Sequence, residues 1–498
     1  MERKTRIGNI VIAGGGTAGW MAAAALAFYL RDTIAITLVE SEEIGAVGVG
    51  EATIPQIQLF NSSLGIDEKA FLAATGATFK LGIEFCDWSR PGARYIHGFG
   101  QVGRQIGMLP FYQYWLRYRA QGGELPLDDF SPNVLAAKAG KFGMPEAPPG
   151  KPSSFAYAYH IDARRYAAFL REYAQALGVK RIEGKIAAVR QHGESGDIRA
   201  LCLAGGEEIS GEFFVDCTGF RALLIGQTMD VGFEDWSHWL PCNRAWAVPS
   251  ALEAAPAPLT RATAREAGWQ WRIPLQHREG NGLVFCDEYE SEESARDFLL
   301  GHLAGKPLSE PKLLKFTTGK RKQSWKGNCL ALGLASGFLE PLESTSIHMI
   351  QSGISRLVSL FPNAKIDGAA IDEYNAQTDF EFASIRDFLI LHYRLNQRDG
   401  TFWQRCREMP LPDSLAQKMA LFAQTGRINR FNSELFDVPS WLQVMLGQGL
   451  WPQAYHPMVD VAPEADLAKF IAGNGRAAQA EIAAMPSHAD YLAECGSG

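Results

Sequence analysis

The first forty residues contain the pattern that most restricts how this chain can fold. An apolar run at 8–13 leads into the GxGxxG sequence of residues 14–19. A helical stretch at 19–31 follows, and a second apolar run at 34–40 ends in an acid, Glu40. Glycines permit a tight turn and a close approach of the backbone to a pyrophosphate, while the start of the helix supplies N–H donors. The order of strand, turn, helix, strand and acid therefore predicts a dinucleotide-binding α/β unit.

Two later segments indicate which dinucleotide is bound. The strand FFVDCTG ends in the turn 216–219, and NCLALG at 328–333 is a further strand followed by a turn. Both are similar to nucleotide-contacting elements of FAD-dependent monooxygenases, so we expect FAD. The alternative is that they are ordinary core strands that end in turns. The residues predicted to contact FAD in the three elements are Gly14, Gly16, Thr17, Ala18, Gly19, Glu40, Asp216, Gly333 and Leu334.

Composition and charge narrow the class of protein further. Of the 498 residues, 47% are apolar and 21% are charged, which is ordinary for a globular chain and argues against disorder. The net charge is −7 and no long basic run occurs, so we expect neither nucleic acid nor an anionic membrane as a partner. No stretch offers about eighteen uninterrupted apolar residues, so no membrane span is expected. A small-molecule substrate is the remaining default.

The cysteines and the N-terminus bear on where the protein resides. The eight cysteines are scattered without a CxxC pair, which indicates neither a zinc cluster nor a disulfide framework and favours a reducing cytoplasm. The N-terminus superficially imitates a signal peptide, because basic residues precede an apolar stretch that ends near Leu30. The glycines at 14–16 interrupt that stretch and no convincing cleavage site follows, so we interpret it as mature protein.

The order of elements predicts an α/β fold like that of FAD-dependent monooxygenases, with a second lobe built on an antiparallel sheet and a mainly helical C-terminal region. We expect an FAD-binding core at 1–365 with the sheet lobe at roughly 225–320, and a substrate-side region at 366–498. Within the core, the dinucleotide-binding elements are 8–55, 213–224 and 328–350.

Four further segments yield local predictions. Helical character is expected near 56–74, and 161–179 has the periodicity of an amphipathic helix. The segment FKLGIEFCDW, from residue 79, alternates like a strand. The segment 140–154 is dense in Gly and Pro, which predicts an exposed and mobile excursion.

Two motifs give the chain a family resemblance. In the third FAD element an ordinary flavin hydroxylase shows a Gly-Asp motif, whereas residues 333–347 read GLASGFLEPLESTSI. Residues 268–274 read GWQWRIP, a GWxWxIP motif. Both motifs resemble those of the flavin-dependent tryptophan halogenases. The resemblance runs from residue 8 to about 395, and the last hundred residues match only loosely.

In that family, reduced FAD, oxygen and halide give hypohalous acid, which passes through an internal tunnel to a lysine beside the substrate. The resemblance implies that Lys80 is this lysine, that Glu343 is the acid/base and that Ser344 belongs to the catalytic residues. It also implies that Thr345 and Ser346 line the halide pocket. Halogenating an arene requires a shielded halogen donor, a group to hold it and a base for the ring proton. A desolvated lysine and a carboxylate suit these roles.

Several of these residues have a simpler interpretation. On one continuous strand, Lys80 and Glu84 would share a solvent-facing side. For Glu343, the alternative is an ordinary acid in the first turn of a helix. Trp269 and Trp271 lie two residues apart, so core packing on one strand face is the alternative to their family role, which is to keep the organic substrate away from the flavin.

The loop 48–55 is the last expected FAD contact. The resemblance implies that this loop approaches the isoalloxazine and responds to its redox state, through Gly48, Glu51 and Ala52. The alternative is an ordinary surface turn.

For the substrate, His97 and Phe99 in IHGFG resemble the aromatic-binding pair of the family, and Trp451 is a candidate for an opposing ring. The alternative for Trp451 is a core tryptophan. Flat aromatic side chains suit an indole through stacking. No convincing counterpart is seen for the tyrosine and acid cluster that grips the amino-acid end of free tryptophan. The sequence therefore favours indole or a related arene over free tryptophan.

The halide motif departs from the family at one position. Tryptophan halogenases usually have Gly after the Ser-Thr pair, whereas this chain has Ser346 followed by Ile347 and His348. We hypothesise that the pocket differs in shape and that bromide is used better than chloride.

The chain has one dinucleotide fingerprint and no evident site for NADH, so reduced FAD (FADH2) is expected from a separate flavin reductase. One rival interpretation is an FAD-dependent aromatic monooxygenase that hydroxylates its substrate. Another is a non-catalytic FAD-binding redox protein. The sequence leaves the number of subunits open, with a homodimer as one alternative.

Overall fold

The computed structural model describes residues 6–43, 50–105, 107–145, 154–363, 366–431 and 434–496. The chain forms two compact units, whose segments alternate along the sequence. Unit 1 comprises Met1–Ala77, Ile161–Asn243 and Lys315–Ala383, and unit 2 comprises Thr78–His160, Arg244–Leu314 and Ser384–Gly498. The predicted boundary at residue 365 does not coincide with this division.

The strands are short and numerous. They are β1 (Asn9–Ala13), β2 (Ala35–Glu40), β3 (Gly50–Ala52), β4 (Thr78–Lys80), β5 (Gly82–Cys86), β6 (Arg94–Gly98), β7 (Ala158–Asp162), β8 (Lys180–Glu183), β9 (Ile186–Gln191), β10 (Ile198–Leu203), β11 (Glu208–Ser210), β12 (Phe213–Asp216), β13 (Phe233–Asp235), β14 (Arg244–Ser250), β15 (Thr260–Arg265), β16 (Gly268–Pro274), β17 (Glu279–Phe285), β18 (Lys312–Lys315), β19 (Gly319–Arg321), β20 (Trp325–Lys326), β21 (Cys329–Ala331) and β22 (Gly337–Phe338).

The α-helices occur along the whole chain and predominate beyond residue 365, as predicted. They are α1 (Thr17–Leu30), α2 (Gln56–Ser63), α3 (Glu68–Thr75), α4 (Phe111–Ala120), α5 (Pro132–Lys138), α6 (Ala163–Ala176), α7 (Glu292–Gly301), α8 (Ser346–Ser359), α9 (Gly368–Arg394), α10 (Thr401–Glu408), α11 (Asp413–Thr425), α12 (Val438–Gly447), α13 (Glu464–Ala483) and α14 (His488–Gly496). In the described part of the chain, no helix combines the length and the apolar character needed to cross a bilayer.

The main sheet of unit 1 has six strands in the order β20-β21-β12-β1-β2-β8. Strand β1 is parallel to both β2 and β12, and β12 is parallel to β21. Apolar residues on both faces explain this arrangement, because parallel strands are normally covered on both sides. The carboxyl ends of these four strands meet at one edge, so the glycine turn, Glu40, Asp216 and Gly333 are brought to the same edge.

Helix α1 packs on β1 and β2 of this sheet, and α6 packs on α1. Residues 19–27 of α1 are all buried, and α1 packs against α6 and α8. The amphipathic helix predicted at 161–179 is confirmed as α6. Asp162 caps it by accepting hydrogen bonds from the backbone N–H groups of Arg164 and Arg165. The predicted helical stretch at 56–74 is two helices, α2 and α3, because the chain turns between them.

The sheet of unit 2 has seven strands in the order β18-β14-β17-β16-β15-β5-β6. Strands β14 to β17 pair antiparallel, which confirms an antiparallel second lobe. Strand β5 pairs parallel to β15, and β6 forms an outer edge. Two strands in the predicted range 225–320, β13 and β19, instead pair with each other in unit 1.

The single strand predicted from residue 79 is wrong. The chain breaks at Leu81 into β4, which pairs with β7, and β5, which belongs to the seven-stranded sheet. Leu81 lies between the two sheets, where its N–H donates to the Pro258 carbonyl. Lys80 and Glu84 therefore do not share the face of one strand.

The excursion predicted at 140–154 is only partly described, because 146–153 lie outside the described residues. At its start, Gly140 and Met144 are exposed as predicted, whereas Phe142 and Gly143 are buried. Phe142 is fully buried and stacks on Phe79 with ring centroids 4.0 Å apart. Local Gly and Pro density did not reveal that an aromatic side chain here belongs to the core of unit 2.

Candidate active site

The glycine-rich turn of unit 1 leaves no room for side chains at Gly14, Gly15 and Gly19, and a Cβ at Gly15 would lie 2.6 Å from the Glu40 Cβ. Gly14 has φ +104°, and a Cβ there would lie 2.3 Å from the carbonyl oxygen of Cys217. A Cβ at Gly19 would lie 1.9 Å from the Gly14 carbonyl oxygen. Only open space surrounds a Cβ placed at Gly16. Backbone N–H groups at the start of α1 thus face a space that a pyrophosphate can enter.

Three segments that are far apart in sequence converge on this turn. The N–H of Cys217 donates to the Ala13 carbonyl at 2.8 Å, which joins the β12 end to the β1 end. The Leu332 N–H donates to the Asp216 carbonyl at 3.0 Å, which adds the third element. A Cβ at Gly333 would lie 3.0 Å from Ala18. The predicted FAD elements are therefore brought together within unit 1.

Glu40 lies beneath the turn and is already engaged by the protein. Its carboxylate accepts a hydrogen bond from the Trp20 indole N–H at 3.3 Å and forms an ion pair with Arg181. Arg181 lies on β8, the next strand of the sheet, and no sequence motif indicated this ion pair. It fixes the orientation of Glu40 at the carboxyl edge.

Asp216 is buried and shapes its own turn. One carboxylate oxygen accepts from the backbone and hydroxyl of Thr218, and the other accepts from the N–H groups of Leu224 and Ile225. Burial raises the pKa of this carboxyl, and the four donors oppose that rise. The side chain therefore holds the second element in place, while the backbone of the turn is left to meet a ligand.

Several buried polar atoms of unit 1 have no hydrogen-bond partner among the described residues. One lies on α8, one directly before it, one on α2 and one in the connection before β19: Gln351 Nε2, Thr345 Oγ1, Gln56 Oε1 and Thr318 Oγ1. Buried polar groups are normally satisfied, so such atoms indicate a missing partner. Together with the open cradle at Gly16, they fit a polar dinucleotide. Sequence reasoning missed Gln56, Thr318 and Gln351, because isolated polar residues carry no motif.

The segment with the predicted acid/base adopts an unusual turn. Glu343 is 1% exposed and ends a short 3₁₀ turn that begins at Pro341. Ser344 has φ +60°, a left-handed conformation that costs a non-glycine residue about 1–3 kcal/mol. Helix α8 begins only at Ser346, so Glu343 is not a first-turn acid of that helix. Thr345 precedes the helix, and its hydroxyl does not cap it.

Lys80 is completely buried in unit 2, at 0% exposure. It pairs with Ala158 in the β4–β7 ladder, and its Nζ lies 5.1 Å from the ring centroid of Phe99. The interpretation of a solvated strand lysine is therefore wrong. An amine in this setting is shielded from bulk water, as a halogen-holding group must be.

Two histidines flank the strand of Lys80. His160 bonds to Thr78 through Nδ1 and to Thr260 through Nε2, each at 2.9 Å. Burial first, and then the Lys80 charge, holds the pKa of His160 well below its ordinary value. His488 accepts a hydrogen bond from the Phe79 N–H, and burial lowers its pKa to about 4. Both rings are therefore neutral near pH 7.

The predicted substrate pair lies at the end of β6 in the same unit as Lys80. His97 is buried and packs on Phe388 and Phe436, at centroid distances of 5.6 and 6.2 Å. Phe99 is partly buried, and its N–H donates to the Leu81 carbonyl next to Lys80. The structure thus brings Phe99 to the lysine.

Trp451 occupies a different environment. It is 49% exposed, stacks on Trp115 with a centroid distance of 5.8 Å, and is covered by the guanidinium of Arg119. It is therefore not a core tryptophan. Its predicted role as a substrate ring stays a prediction.

The two tryptophans of the GWxWxIP motif lie on β16 and are both buried. Their ring centroids are 6.0 Å apart, and Trp269 packs on Trp88. No Cβ could be placed at Gly282 without meeting the Trp271 ring at 2.0 Å, so the neighbouring strand carries glycine there.

The predicted flavin loop is only partly described. Gly48 lies outside the described residues, while Glu51 and Ala52 lie in β3. Removal of the Glu51 carboxyl from water raises its pKa to about 7, so that it titrates near neutrality.

A parallel sheet whose strand ends converge on a glycine-rich turn is the architecture of a dinucleotide-binding oxidoreductase. Unit 2 contributes a fully buried lysine, Lys80. The family model described as Tryptophan halogenase matches residues 9–464. The chain therefore belongs to the tryptophan halogenase family and is a flavin-dependent halogenase.

Individual relatives agree over almost the whole chain. The flavin-dependent halogenase Xcc4156 from Xanthomonas campestris is 50% identical, with a TM-score of 0.95 and 98% of each chain covered. The flavin-dependent halogenase BrvH from Brevundimonas sp. BAL3 is 47% identical, with a TM-score of 0.94 and coverage of 98% of this chain and 99% of the other. The 7-chloro-L-tryptophan 6-halogenase KtzR of Kutzneria sp. (strain 744) is 35% identical over 97% of this chain and 99% of its own. The similarity therefore extends well beyond residue 395, where the sequence motifs had suggested that it ends.

Proposed function

We propose that this halogenase transfers an oxidised halogen to indole or a related electron-rich arene, with reduced FAD, oxygen and bromide or chloride as co-substrates. The observation that supports this most is the complete burial of Lys80 with Phe99 beside it. FAD, when bound, supplies the electrons with which oxygen is activated to oxidise halide. The arene C–H bond is replaced by a carbon–halogen bond, and the ring proton leaves to a base.

Lys80 holds the oxidised halogen and polarises it toward the ring carbon. Its burial keeps water from consuming the halogen first. Glu343 acts as the acid/base for the ring proton. Ser344 keeps the left-handed turn that separates Glu343 from α8.

Unit 1 supplies the groups that would hold FAD. The N–H groups at the start of α1 would face the pyrophosphate, and Glu40 would accept hydrogen bonds from the ribose. The unsatisfied Gln56 and Gln351 side chains are available to further polar groups of the cofactor. The loop that contains Glu51 would approach the isoalloxazine.

We place the halide at the start of α8. The buried Thr345 hydroxyl has no hydrogen-bond partner among the described residues, and free N–H groups at a helix start favour an anion. Ser346 stands where the family has Gly, so the pocket shape differs. We expect bromide to be used better than chloride when both salts compete at equal concentration. A clear excess of chlorinated product would contradict this.

We propose indole-type arenes rather than free tryptophan, because His97 and Phe99 supply flat contacts and no grip for an amino acid was recognised in the sequence. The relative KtzR is named for a chlorinated tryptophan, so both substrates belong in the test. We further propose a separate flavin reductase, because the chain has one dinucleotide fingerprint. We also propose a cytoplasmic location, since each of the eight cysteines keeps its thiol.

The test is incubation with a flavin reductase, FAD, NADH, bromide and a panel of indoles and tryptophan, read by mass spectrometry for the bromine isotope doublet. We expect brominated indole, and its loss by at least about a hundredfold in Lys80→Ala. A control variant, Lys138→Ala, replaces a surface lysine paired with Asp128 and should keep full activity.

Two other outcomes would support rival functions. Hydroxylated product that forms without halide would indicate a monooxygenase. Binding of FAD with neither halogenation nor oxygen consumption would indicate a non-catalytic redox protein.

A further inference from the structure

Gln443 of helix α12 binds the peptide group of Gly98 as a neighbouring strand would. Its Oε1 accepts from the Gly98 N–H at 3.0 Å, and its Nε2 donates to the Gly98 carbonyl at 3.1 Å. The side chain is buried, and Nε2 also donates to the Pro439 carbonyl of its own helix at 3.2 Å. Both backbone polar groups of one residue are thus satisfied by a single side-chain amide.

The position of Gly98 explains why such a partner is needed. Strand β6 is the edge of the seven-stranded sheet, so alternate peptide groups point away from β5. The neighbouring Phe99 N–H points inward, to the Leu81 carbonyl at 2.8 Å. Helix α12 packs along β6 and buries the outer edge, where an unpaired peptide group would be costly.

Gly98 has no room for a side chain, because a Cβ there would lie 2.6 Å from Val134 Cγ2 of α5. The backbone can approach α5 this closely only as glycine. The end of β6 is therefore held between two helices.

Gly98 separates the two predicted substrate residues. His97 precedes Gly98 within β6, and Phe99 follows it directly after the strand. His97 is backed by Phe388 and Phe436, and Phe99 lies 5.1 Å from Lys80 Nζ. A shift of the Gly98 peptide would move both aromatic side chains relative to the lysine.

We propose that Gln443 is a positioning residue that fixes the arene relative to Lys80, and so sets the affinity for the arene and the carbon that is halogenated. This rests on the proposed function, because it takes His97 and Phe99 as the substrate pair. Gln443 does not touch the reacting atoms. Formation of the oxidised halogen depends on unit 1 and does not require it.

The experiment compares Gln443→Met, which keeps length but removes both hydrogen bonds, with Gln448→Met. Gln448 is a matched control, because it is a buried glutamine at the end of α12 that donates to the backbone carbonyl of His392 at 2.7 Å. Gln443→Glu keeps an acceptor for the Gly98 N–H and loses the donor. If Gln443→Met does not fold, Gln443→Glu is compared with Gln448→Met instead.

In Gln443→Met we expect the KM for indole to rise about tenfold or more, as unsatisfied buried peptide groups imply. We also expect a changed ratio of brominated regioisomers. The KM for bromide and the yield of oxidised bromine, trapped by a scavenger without arene, should stay at the wild-type level. Gln443→Glu should show a smaller rise in the KM for indole, and Gln448→Met should match the wild type in regioisomer ratio.

The inference is overturned if the Gln443 variants and Gln448→Met share the same indole KM and regioisomer ratio. It is also overturned if Gln443→Met lowers oxidised-bromine yield and arene bromination in parallel, since that is general loss of structure. If the wild type and Lys80→Ala differ as expected, such a result removes only the role of Gln443. If the wild type halogenates no arene, the proposed function fails and this inference fails with it.

Discussion

At the scale of single residues, this protein keeps titratable groups in water-poor surroundings around Lys80. His488 shows the thermodynamic consequence. Its pKa is about 4 in the folded protein and about 6.5 in an unfolded chain. Between these values the unfolded state binds more protons, so the stability contribution of His488 is lost as the pH falls from 6.5 to 4.

We therefore expect the free energy of unfolding to fall less steeply with acidification in His488→Gln than in the wild type. The difference should be about 1 kcal/mol between pH 6 and pH 5, because at most one proton is involved. Denaturant unfolding of the apoprotein at several pH values measures it. His302→Gln, at an exposed histidine, serves as the control for the loss of one imidazole. Equal slopes in all three proteins would show that His488 titrates normally.

The stability contribution of Glu51 changes with pH in the opposite direction to that of His488. Its folded pKa of about 7 lies above the ordinary 4.5, so the folded state binds the extra proton between these values. Its contribution to stability is therefore lost as the pH rises through 7. Since Glu51 is present in all three proteins, the comparison of His488 variants cancels it.

At the scale of elements, a buried ionic cluster joins α8 to α9 within unit 1. Glu381 of α9 accepts from His348 at 3.0 Å, from Ser352 at 2.8 Å and from Arg356 at 2.5 Å. These three donors repeat every four residues along α8, so they face α9 together. Burial alone would raise the pKa of Glu381, but hydrogen bonding from His348 and the Arg356 charge lower it to about 2.

This cluster predicts that Glu381→Gln lowers the free energy of unfolding by about 3 kcal/mol at pH 7, the equivalent of the pKa shift from 4.5. The contribution of Glu381 is fully present above pH 4.5 and is lost as the pH falls through 2. Glu373→Gln, an exposed acid on the same helix, should change stability by less than about 0.5 kcal/mol. Chemical denaturation of both variants at pH 7 measures this difference in the free energy of unfolding. Equal midpoints would mean that the packing of α8 on α9 does not depend on this cluster.

At the scale of the whole molecule, neither compact unit is a continuous piece of chain. Asn375, on α9, accepts from the N–H groups of Ser324 and Trp325 in unit 1. In unit 2, Trp88 packs on Trp403, and the N–H of Phe79 bonds to His488. Each unit is therefore completed by residues beyond 365.

A fragment of residues 1–365 should consequently not fold alone. We expect no cooperative thermal transition and no FAD binding from it, whereas co-expression with 366–498 should restore both. Near-ultraviolet circular dichroism and FAD fluorescence would measure the two properties. A folded fragment that binds FAD would instead support the core boundary predicted from the sequence.

The sequence by itself determined the features that depend on neighbouring residues. The glycine turn, the α1 and α6 helices and the strand ends at Glu40, Asp216 and Gly333 follow from local spacing, because periodicity and glycine geometry act over a few residues. The resemblance to the family selected Lys80 and Glu343 as predicted site residues.

Only the tertiary structure decided features that depend on distant segments. The break at Leu81, the burial of Phe142 and the half-exposed stacking of Trp451 on Trp115 depend on which remote chain segments arrive beside them. Gln443 belongs to the same group, since an amide becomes a partner for Gly98 only when α12 lies along the edge of β6. Burial and pairing are properties of packed surfaces, and local patterning does not encode which surfaces meet.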